Sequence, residues 1–442
     1  MKSRTRFLVG SIGALCMAAF VSSCGAAKTS KAETKPVEKV KINLFINQSD
    51  DKLTSVIEYM KTRFPERLTN IDVQINAVPG DAQSFETKIR TMIAAGGDGL
   101  DVWWERGGSF AVPILSAKGA LPLDSHLAEQ KYWDSVIPSA KVPNADGTTY
   151  AVPFEDIFYE IIFFNPKLFS ENGLTVPKTV ADLKKVVGVL KTKKITPIAV
   201  AGKDGWPASM MVEGFAYSKD PEATKKAVEG KIKFSESAYS SASKAVKELL
   251  DMKAFSMNVA LDDYGTAEGM FVSGQAAMLC NGSWALSDYI KKMDGNVDYF
   301  YYPAVDPADA ANVGKSVAGG VKKDAGMMVY SGTKNPKESV QVAIATAQLY
   351  NQYLFEELGN PFIAYIPEVL GWKAKSELSP IIKKFASDLT GFKFTYGFIQ
   401  DVMPSAAGSQ GVMQSTSRFM VNSSKYSVNE YLADLDKAAT EK

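Results

Sequence analysis

The chain has 442 residues, with 50 Lys and Arg, 49 Asp and Glu, one histidine and three cysteines, and its length is typical of two or three domains. Hydrophobic residues make up 46% and charged residues 22%, which excludes a disordered or fibrous protein, and a net charge of +1 gives no broad attraction to nucleic acid. With His126 as its one histidine, the chain is poor in the residues that Ser-His-Asp triads and zinc sites use.

The first 23 residues predict a signal peptide. Lys2, Arg4 and Arg6 precede an uncharged apolar run over 7–21, and this run of about 15 residues is shorter than the roughly 20 needed to span a bilayer. The run ends in VSSCG, which resembles the bacterial lipobox, whose cysteine is lipidated and becomes the mature N-terminus. An ordinary secretory signal with a chance cysteine is the alternative. We expect Cys24 to anchor the protein, outside the cytoplasm, to a bacterial membrane.

Residues 24–39 predict a lipidated tether. Val37 is their one large apolar side chain, and Ala, Lys and Thr dominate, a composition that disfavours a packed core. Fully extended, the tether would reach about 50 Å. Because Cys16 is removed with residues 1–23 and Cys24 carries lipid, Cys280 is the one free thiol left, and we expect it to be buried.

From Val40 onward, the spacing of apolar residues predicts alternating strands and helices. The predicted elements are a strand over 40–47, a helix over 53–64, a strand over 71–78, a helix over 85–93 and a strand over 100–104. We expect Pro65 to end the first helix and Gly96-Gly97 to end the second. This order is typical of βαβ units and predicts a largely parallel sheet.

A similar alternation follows residue 150. Residues 151–164 predict a strand, Thr179 begins a helix with Asp182 three residues on, and 195–200 predict another strand. The uncharged run 269–287 contains Gln275, Asn281 and several Gly and Ser residues, which argues against a membrane-spanning helix.

Three short segments place tryptophan or carboxylate side chains beside turns. They are GQAAM followed by NGSW within 274–284, DVWWERGG over 101–108, and YAVPFED followed by FNPKLF within 150–169. Each is loose alone, but together they resemble the family 1 extracellular solute-binding proteins, the lipid-anchored receptors of ABC sugar importers that are related to maltose-binding protein. The resemblance covers almost all of residues 40–442.

The resemblance implies an α/β fold with two lobes, like that of periplasmic binding proteins, and a ligand cleft between the lobes. Lobe one is expected over 40–150 plus 303–365, and lobe two over 151–302 plus 366–442. Ligand contacts from both lobes would favour the closed state, because the open state lacks some of them.

Two tryptophans that follow turns are implied as sugar-stacking residues. Trp284 comes after Gly282, which permits a sharp turn that exposes the indole. Trp206 follows the predicted strand 195–200 in the sequence GKDGWP. The alternative for Trp284 is a place in the hydrophobic core, where aromatic side chains usually pack.

The end of the third strand carries Trp103, Trp104, Glu105 and Arg106. Ligands of open α/β sheets bind at such strand ends, and the resemblance implies a tryptophan followed by an acid–arginine pair that binds sugar hydroxyls. Adjacent side chains on a strand point to opposite faces, so we expect only one of the two tryptophans to meet the ligand. A surface ion pair of small energetic effect is the alternative for Glu105 and Arg106.

Four further residues are implied as ligand contacts. Glu155 and Asp156 lie where the family places a carboxylate that accepts hydrogen bonds from sugar hydroxyls, and a solvated acidic turn is the alternative. Asn47 follows the first strand, where it could bind sugar or belong to a helix N-cap. Gly320 resembles a family turn at which the backbone approaches the ligand closely.

Binding without chemistry is the expected function. The resemblance implies a receptor that captures a mono- or oligosaccharide and delivers it to the membrane subunits of an ABC importer. We expect a monomer with no catalytic residues, no cofactor, no metal ion and no nucleic-acid partner. One alternative is an extracytoplasmic glycoside hydrolase, which needs two carboxylates about 5–9.5 Å apart and could use Glu105 and Asp156. Another is a receptor of the same fold for a polyol or a peptide.

Overall fold

The structure, a computed structural model, describes residues 39–144, 147–154, 158–320, 323–422 and 424–441. The predicted signal peptide, Cys24 and the tether up to residue 38 lie outside these ranges. Across the ranges, every helix is too short or too polar to span a bilayer. The uncharged run 269–287 is divided between two helices with a strand and turns between them.

Eleven strands form three sheets in the described part of the chain. They are β1 (Val40–Gln48), β2 (Ile71–Pro79), β3 (Val102–Glu105), β4 (Ala151–Val152), β5 (Glu160–Phe164), β6 (Thr196–Ala199), β7 (Ala276–Gly282), β8 (Asp298–Phe300), β9 (Ser316–Gly319), β10 (Gly326–Val329) and β11 (Phe394–Gly397). A five-stranded sheet has the order β2-β1-β3-β10-β4, and a four-stranded sheet has the order β6-β7-β5-β8. Strands β9 and β11 form a separate parallel pair.

Helices surround the sheets. The α-helices of the described ranges are α1 (Asp51–Arg67), α2 (Ala82–Ala94), α3 (Val112–Ser116), α4 (Asp124–Glu129), α5 (Pro166–Glu171), α6 (Val180–Thr192), α7 (Trp206–Tyr217), α8 (Ala223–Val228), α9 (Ala238–Asp251), α10 (Tyr264–Val272), α11 (Leu286–Lys292), α12 (Pro336–Leu358), α13 (Pro367–Leu370), α14 (Pro380–Gly391), α15 (Ala406–Asn422) and α16 (Val428–Ala438). Short 3-10 helices lie at Gly108–Phe110, Tyr132–Ser135, Pro138–Ala140, Phe234–Glu236, Ser283–Ala285 and Pro307–Asn312.

Each large sheet has its own hydrophobic core. Buried side chains of β1, β3 and β10 pack with α1 and α12 beside the five-stranded sheet. Buried side chains of β5, β6 and β7 pack with α7, α9, α15 and α16 beside the four-stranded sheet. Cys280 on β7 is buried as predicted, and burial raises the pKa of its thiol to about 12, so the thiolate that reacts is scarce at neutral pH.

Local sequence signals account for most element boundaries. The predicted start of α6 is confirmed, because the Thr179 hydroxyl accepts a hydrogen bond from the Asp182 N–H at 3.2 Å. Pro65, however, does not end α1, which runs on to Arg67. Proline removes one donor near the end of the helix, and the following turn is closed by the Leu68 N–H, which donates to the Phe64 carbonyl at 2.8 Å.

Two predictions about the sheets are wrong. The single strand predicted over 151–164 is two strands in different sheets, since β4 pairs with β10 and β5 pairs with β7. Pro153 has no N–H with which to extend the β4 ladder. The sheets are also mixed rather than largely parallel, because β10 runs antiparallel to β3 and β5 runs antiparallel to β7. The chain passes through the four-stranded sheet before β10 joins the five-stranded sheet. A parallel pair would require a crossover helix, and the antiparallel pair of β10 and β3 does not.

Candidate functional site

Strand ends from both large sheets meet at one cavity of about 240 Å³, which we call the cleft. Residues at or just after the carboxyl ends of β1, β2 and β3 line one side, and residues after β6 and β7 line the other. Ligands of open α/β sheets bind outside these strand ends. The segment after β11 adds Phe398, Gln400 and Asp401 to the lining.

The two adjacent tryptophans of β3 face opposite ways. Trp103 is fully buried in the core, and its indole N–H donates to Glu105 Oε2 at 3.2 Å. Trp104 is half-buried and lines the cleft, with its ring 6.3 Å from the ring of Phe154. The structure therefore places Trp104, and not Trp103, at the cleft.

Glu105 lines the cleft, and hydrogen bonds from residues at the end of the same strand hold its carboxylate in place. The residue is only 2% exposed. Besides the Trp103 indole N–H on Oε2, the Gly107 N–H donates to Oε1 at 3.3 Å. Burial raises the pKa of Glu105, and the two hydrogen bonds oppose that shift.

Arg106 lines the cleft but belongs to an ion cluster with other partners. Its Nε lies 2.9 Å from Glu86 Oε1 and 4.0 Å from Asp401 Oδ1, and its guanidinium lies 3.6 Å from the ring centroid of Phe110. Burial raises the pKa of Glu86 to about 7, against the opposing effect of Arg106. The alternative of a surface ion pair between Glu105 and Arg106 is wrong, because Glu105 is buried and Arg106 pairs elsewhere.

Trp206, Tyr264 and Trp284 form an aromatic wall on the side of the four-stranded sheet. The rings of Trp206 and Tyr264 stack with centroids 5.5 Å apart and an interplanar angle of 28°. The Trp284 indole N–H donates to the Tyr264 hydroxyl at 3.0 Å. Phe158 and Phe398 pack edge-on against Trp284, with centroids 5.9 and 6.2 Å away, and they also line the cleft. Trp284 is thus a half-buried wall residue.

Gly205 allows the backbone turn that leads into Trp206, the first residue of the aromatic wall along the chain. It directly precedes Trp206, the first residue of α7, and its φ is +76°, a conformation that side chains disfavour. A Cβ at this position would lie only 2.1 Å from the carbonyl oxygen of Met413 on α15. A glycine is therefore required for the backbone to pass this close to α15 and present Trp206 to the cleft.

Two other predicted contacts, Asn47 and Gly320, also line the cleft. The Asn47 amide donates to the carbonyls of Val78 and Gly80 at 3.4 and 2.9 Å, so its N–H groups hold β1 to the end of β2. The helix N-cap is Asp50, whose Oδ1 accepts from the Leu53 N–H at 2.8 Å. The Gly320 N–H donates to the Phe158 carbonyl at 2.8 Å.

Several polar residues that line the cleft were missed from the sequence. They are Lys52, Asp81, Asp204, Gln400 and Asp401. Asp204 Oδ2 accepts from the Tyr264 N–H at 2.7 Å, and burial raises the pKa of Asp204 to about 6. Asp81 and Asp204 follow β2 and β6, so their place at carboxyl strand ends was a usable signal. Gln400 and Asp401 reach the cleft through long-range packing and carried no such signal.

The predicted contacts Glu155 and Asp156, and the predicted lipidation site Cys24, lie outside the described residues. Within the described ranges, no group of three or more His, Cys, Asp or Glu side chains could hold a metal ion. The cleft offers aromatic faces on one side and carboxylates and amides around them. Such a lining suits a ligand that has an apolar face and many hydroxyl donors.

The chain is similar to known proteins over most of its length. The family model described as bacterial extracellular solute-binding protein matches residues 49–394. A multiple sugar-binding protein of Streptococcus mutans serotype c is 27% identical over 366 residues, which cover 76% of this chain and 78% of that protein.

Solved structures show the same architecture. A chitin oligosaccharide binding protein has a TM-score of 0.76 at 23% identity, over 91% of this chain and 98% of that chain. A receptor named RafE, in complex with raffinose, has a TM-score of 0.66 at 21% identity, over 91% of this chain and 100% of that chain. The likeness confirms the predicted fold class, an α/β fold of two lobes like that of periplasmic binding proteins.

Proposed function

Because the chain belongs to the bacterial extracellular solute-binding protein family, we propose that it captures a carbohydrate in the cleft and delivers it to an ABC importer. The observation that carries the proposal is the aromatic wall of Trp206, Tyr264 and Trp284, which faces carboxylates across the same cavity. Relatives named as multiple sugar-binding and alpha-glucosides-binding proteins support a carbohydrate as the ligand.

Residues from both sides of the cleft would contact the sugar, some through aromatic faces and others through hydrogen bonds. Trp206 and Trp284 on one side, and Trp104 on the other, would cover the C–H faces of sugar rings. Glu105, Asp204 and the Gly320 backbone would bind hydroxyls. We assign Arg106 and Asn47 to the polar rim of the same site, with Glu155 and Asp156 as further proposed acceptors.

The two lobes would close on the ligand. We propose that lobe one comprises residues 40–150 plus 303–365 and that lobe two comprises residues 151–302 plus 366–442. Strand β4 is an exception, because it pairs with β10 in the five-stranded sheet and so belongs with that sheet. Ligand that contacts both lobes stabilises the closed form, because those contacts exist together only there. The closed monomer would then present one surface to the importer's membrane subunits.

A thermal-shift panel tests the ligand class. The purified protein without residues 1–24 is heated with mono- and oligosaccharides, polyols and short peptides. A ligand that binds only the folded protein adds about 2.7 kcal/mol of stability at 100 times its Kd, so a matching carbohydrate should raise the melting temperature clearly. A shift with a peptide or polyol and with no carbohydrate would refute the proposal.

The same protein tests the hydrolase alternative. In that alternative Glu105 and Asp156 would be the two catalytic carboxylates, whereas the relatives that the chain matches are named as binding proteins. We expect oligosaccharides to be recovered unchanged after long incubation, as followed by chromatography. Shortened products that depend on Glu105 would support an enzyme instead.

We further propose that Cys24 anchors the mature protein to a membrane through lipid, outside the cytoplasm. Replacing it, as Cys24→Ala, should move the protein from the membrane fraction to the soluble fraction of bacterial cells, as measured by immunoblot. The control is Cys16→Ala, which lies within the apolar run and should leave the protein in the membrane fraction. If the Cys24→Ala protein stays in that fraction, the anchor assignment is wrong.

A further inference from the structure

Two buried glutamates bind the part of the chain that crosses between the two large sheets. Strand β9 lies in the chain between β8 of the four-stranded sheet and β10 of the five-stranded sheet, and it pairs with β11. Glu160, the first residue of β5, accepts a hydrogen bond from the Ala318 N–H on β9. Glu213 on α7 accepts one from the N–H of Ile399, which lies just after β11, at 2.9 Å. Both side chains, which we call the glutamate pair, therefore bind at this crossing.

The bond to Ile399 also fixes part of the cleft wall. Ile399 lies between Phe398 and Gln400, and both of these neighbours line the cleft. Helix α7 holds the same segment a second time, because the Ser209 hydroxyl donates to Gln400 Oε1 at 3.0 Å. When lobes close on a ligand, a few residues in the connections between them absorb the motion. A change in the glutamate pair would therefore be transmitted to residues that line the cleft.

The surroundings of the glutamate pair do not balance a negative charge. Glu160 is 1% exposed and Glu213 is fully buried, and no lysine or arginine of the described ranges forms an ion pair with either of them. Glu160 Oε2 has no hydrogen-bond partner among the described residues. The charged neighbour that acts on Glu213 is another carboxylate, Asp401, which lies 4.0 Å from Arg106.

The other titratable groups that act on the glutamate pair are neutral at pH 7, because burial raises the pKa of each one above its already high ordinary value. They are Tyr217, Tyr239, Cys280, Tyr302, Tyr396 and Tyr431.

Burial raises the pKa of both carboxyl groups. For Glu160, repulsion from Glu213 adds to the effect of burial and places the pKa well above the ordinary value. For Glu213, burial raises the pKa to about 8, against hydrogen bonds from the Thr224 hydroxyl and the Ile399 N–H. An ordinary glutamate has a pKa of about 4.3. The glutamate pair is therefore protonated at neutral pH and gains its first charge as the pH rises through about 8.

We propose that the glutamate pair couples sugar capture to pH, so that the receptor holds its ligand while the pair is protonated and releases it when the pair ionises. The inference rests on the proposed function and names its regulation. A charge buried without a partner is costly, and loosening the bonds to Ala318 and Ile399 lets water reach it. Loosening also frees the wall segment that carries Phe398 and Gln400, so ionisation favours the open form over the closed one.

Titration calorimetry at about pH 7 and about pH 9.5, with the sugar found in the ligand panel, tests the coupling. The closed form holds the proton more tightly than the open form, so the affinity should fall as the pH rises, by about three- to tenfold over this range. For the same reason, binding at about pH 8.5 should take up protons. Buffers of different ionisation enthalpy reveal that uptake in the measured heat.

Two variants show whether the glutamate pair is the titrating group. Glu213→Gln keeps an acceptor for the Ile399 N–H but cannot ionise, so its affinities at the two pH values should agree to within about twofold. Glu268→Gln is the matched control, because burial also raises the pKa of Glu268, which pairs instead with Lys292 at 3.7 Å. The control should keep the wild-type loss. Glu86, with a pKa of about 7, titrates partly in this range, but all three proteins retain it.

The outcomes distinguish the inference from the proposed function. Equal affinity at both pH values, or the wild-type loss in Glu213→Gln, overturns the coupling and leaves a carbohydrate receptor. A profile that Glu268→Gln flattens as much as Glu213→Gln does overturns the assignment to the glutamate pair. Binding of no carbohydrate at either pH overturns both the coupling and the proposed function.

Thermal unfolding without ligand gives a second measurement. The pKa of Glu213 is higher in the folded protein than the value of about 4.3 expected when unfolded. The stabilisation by its proton is therefore complete below that value and is lost as the pH rises through about 8. Between about pH 7 and about pH 9.5, the melting temperature of the wild-type protein should fall more than that of Glu213→Gln. An equal fall in the two proteins overturns the inference.

Discussion

We expect Trp284→Ala to weaken carbohydrate binding about 10- to 100-fold, a loss of roughly 1.4–2.7 kcal/mol. Trp284 stands at the centre of the aromatic wall, where Phe158 and Phe398 support its edges. Its indole N–H also fixes the Tyr264 hydroxyl. Truncation therefore removes a ring face from the ligand and one of the two donors to the Tyr264 hydroxyl, the other being the Asn281 amide at 3.2 Å. Titration calorimetry with the sugar found in the ligand panel measures the effect.

Two further variants show which part of Trp284 matters. Trp284→Phe keeps an aromatic face but loses the N–H that binds Tyr264, so it should retain more affinity than Trp284→Ala. Trp133→Ala is the control, because Trp133 is likewise half-buried and packs edge-on against Tyr132 but does not line the cleft, so it should leave affinity unchanged. A large loss of folding stability in Trp284→Ala, with unchanged affinity, would place this residue in the core instead.

The second expected result separates the adjacent tryptophans of β3. Trp103→Ala should lower the free energy of unfolding by about 3–5 kcal/mol, the range for large-to-small changes of fully buried aromatic residues. It also removes one of the two donors to the Glu105 carboxylate. Trp104→Ala, at a half-buried position on the cleft, should cost much less stability and lower ligand affinity. Urea unfolding and calorimetry measure the two effects.

A conservative pair provides the control for β3. Trp103→Phe keeps most of the buried volume and loses only the indole N–H, so its destabilisation should be clearly smaller than that of Trp103→Ala. Trp104→Phe should preserve much of the affinity through its ring face. If Trp103→Ala and Trp104→Ala lost stability and affinity to the same extent, the opposite orientation of the two side chains would be contradicted.

The sequence predicts the elements that depend on neighbouring residues, and misses what distant residues decide. The strand β1 and the Thr179 cap follow from local spacing and hydrogen bonding, so both are confirmed. The division of 151–164 between two sheets depends on partners more than 100 residues away, such as β7 and β10. Pro153 marks a local break in the strand, but no local pattern shows that the strands on its two sides belong to different sheets.

The candidate site shows the same limit. Alternation along β3 predicts that one tryptophan faces away, but the packing of the sheet decides that this is Trp103. Asp204 and Trp206 follow a strand end and so could be placed at the cleft together. Gln400 and Asp401 come from a segment whose position is set by contacts such as the Ser209 hydroxyl, which donates to Gln400 Oε1 at 3.0 Å.

The close contact at Gly205 constrains how this receptor can diverge. Because no side chain fits between Gly205 and Met413, the loop that presents Trp206 can accept few mutations without moving the wall. Gly320 is different: it also lines the cleft, and a Cβ there would meet Phe398 at an ordinary 3.5 Å. Over evolution, new specificities would therefore arise more readily by filling the cleft at Gly320 than by rebuilding the turn at Gly205.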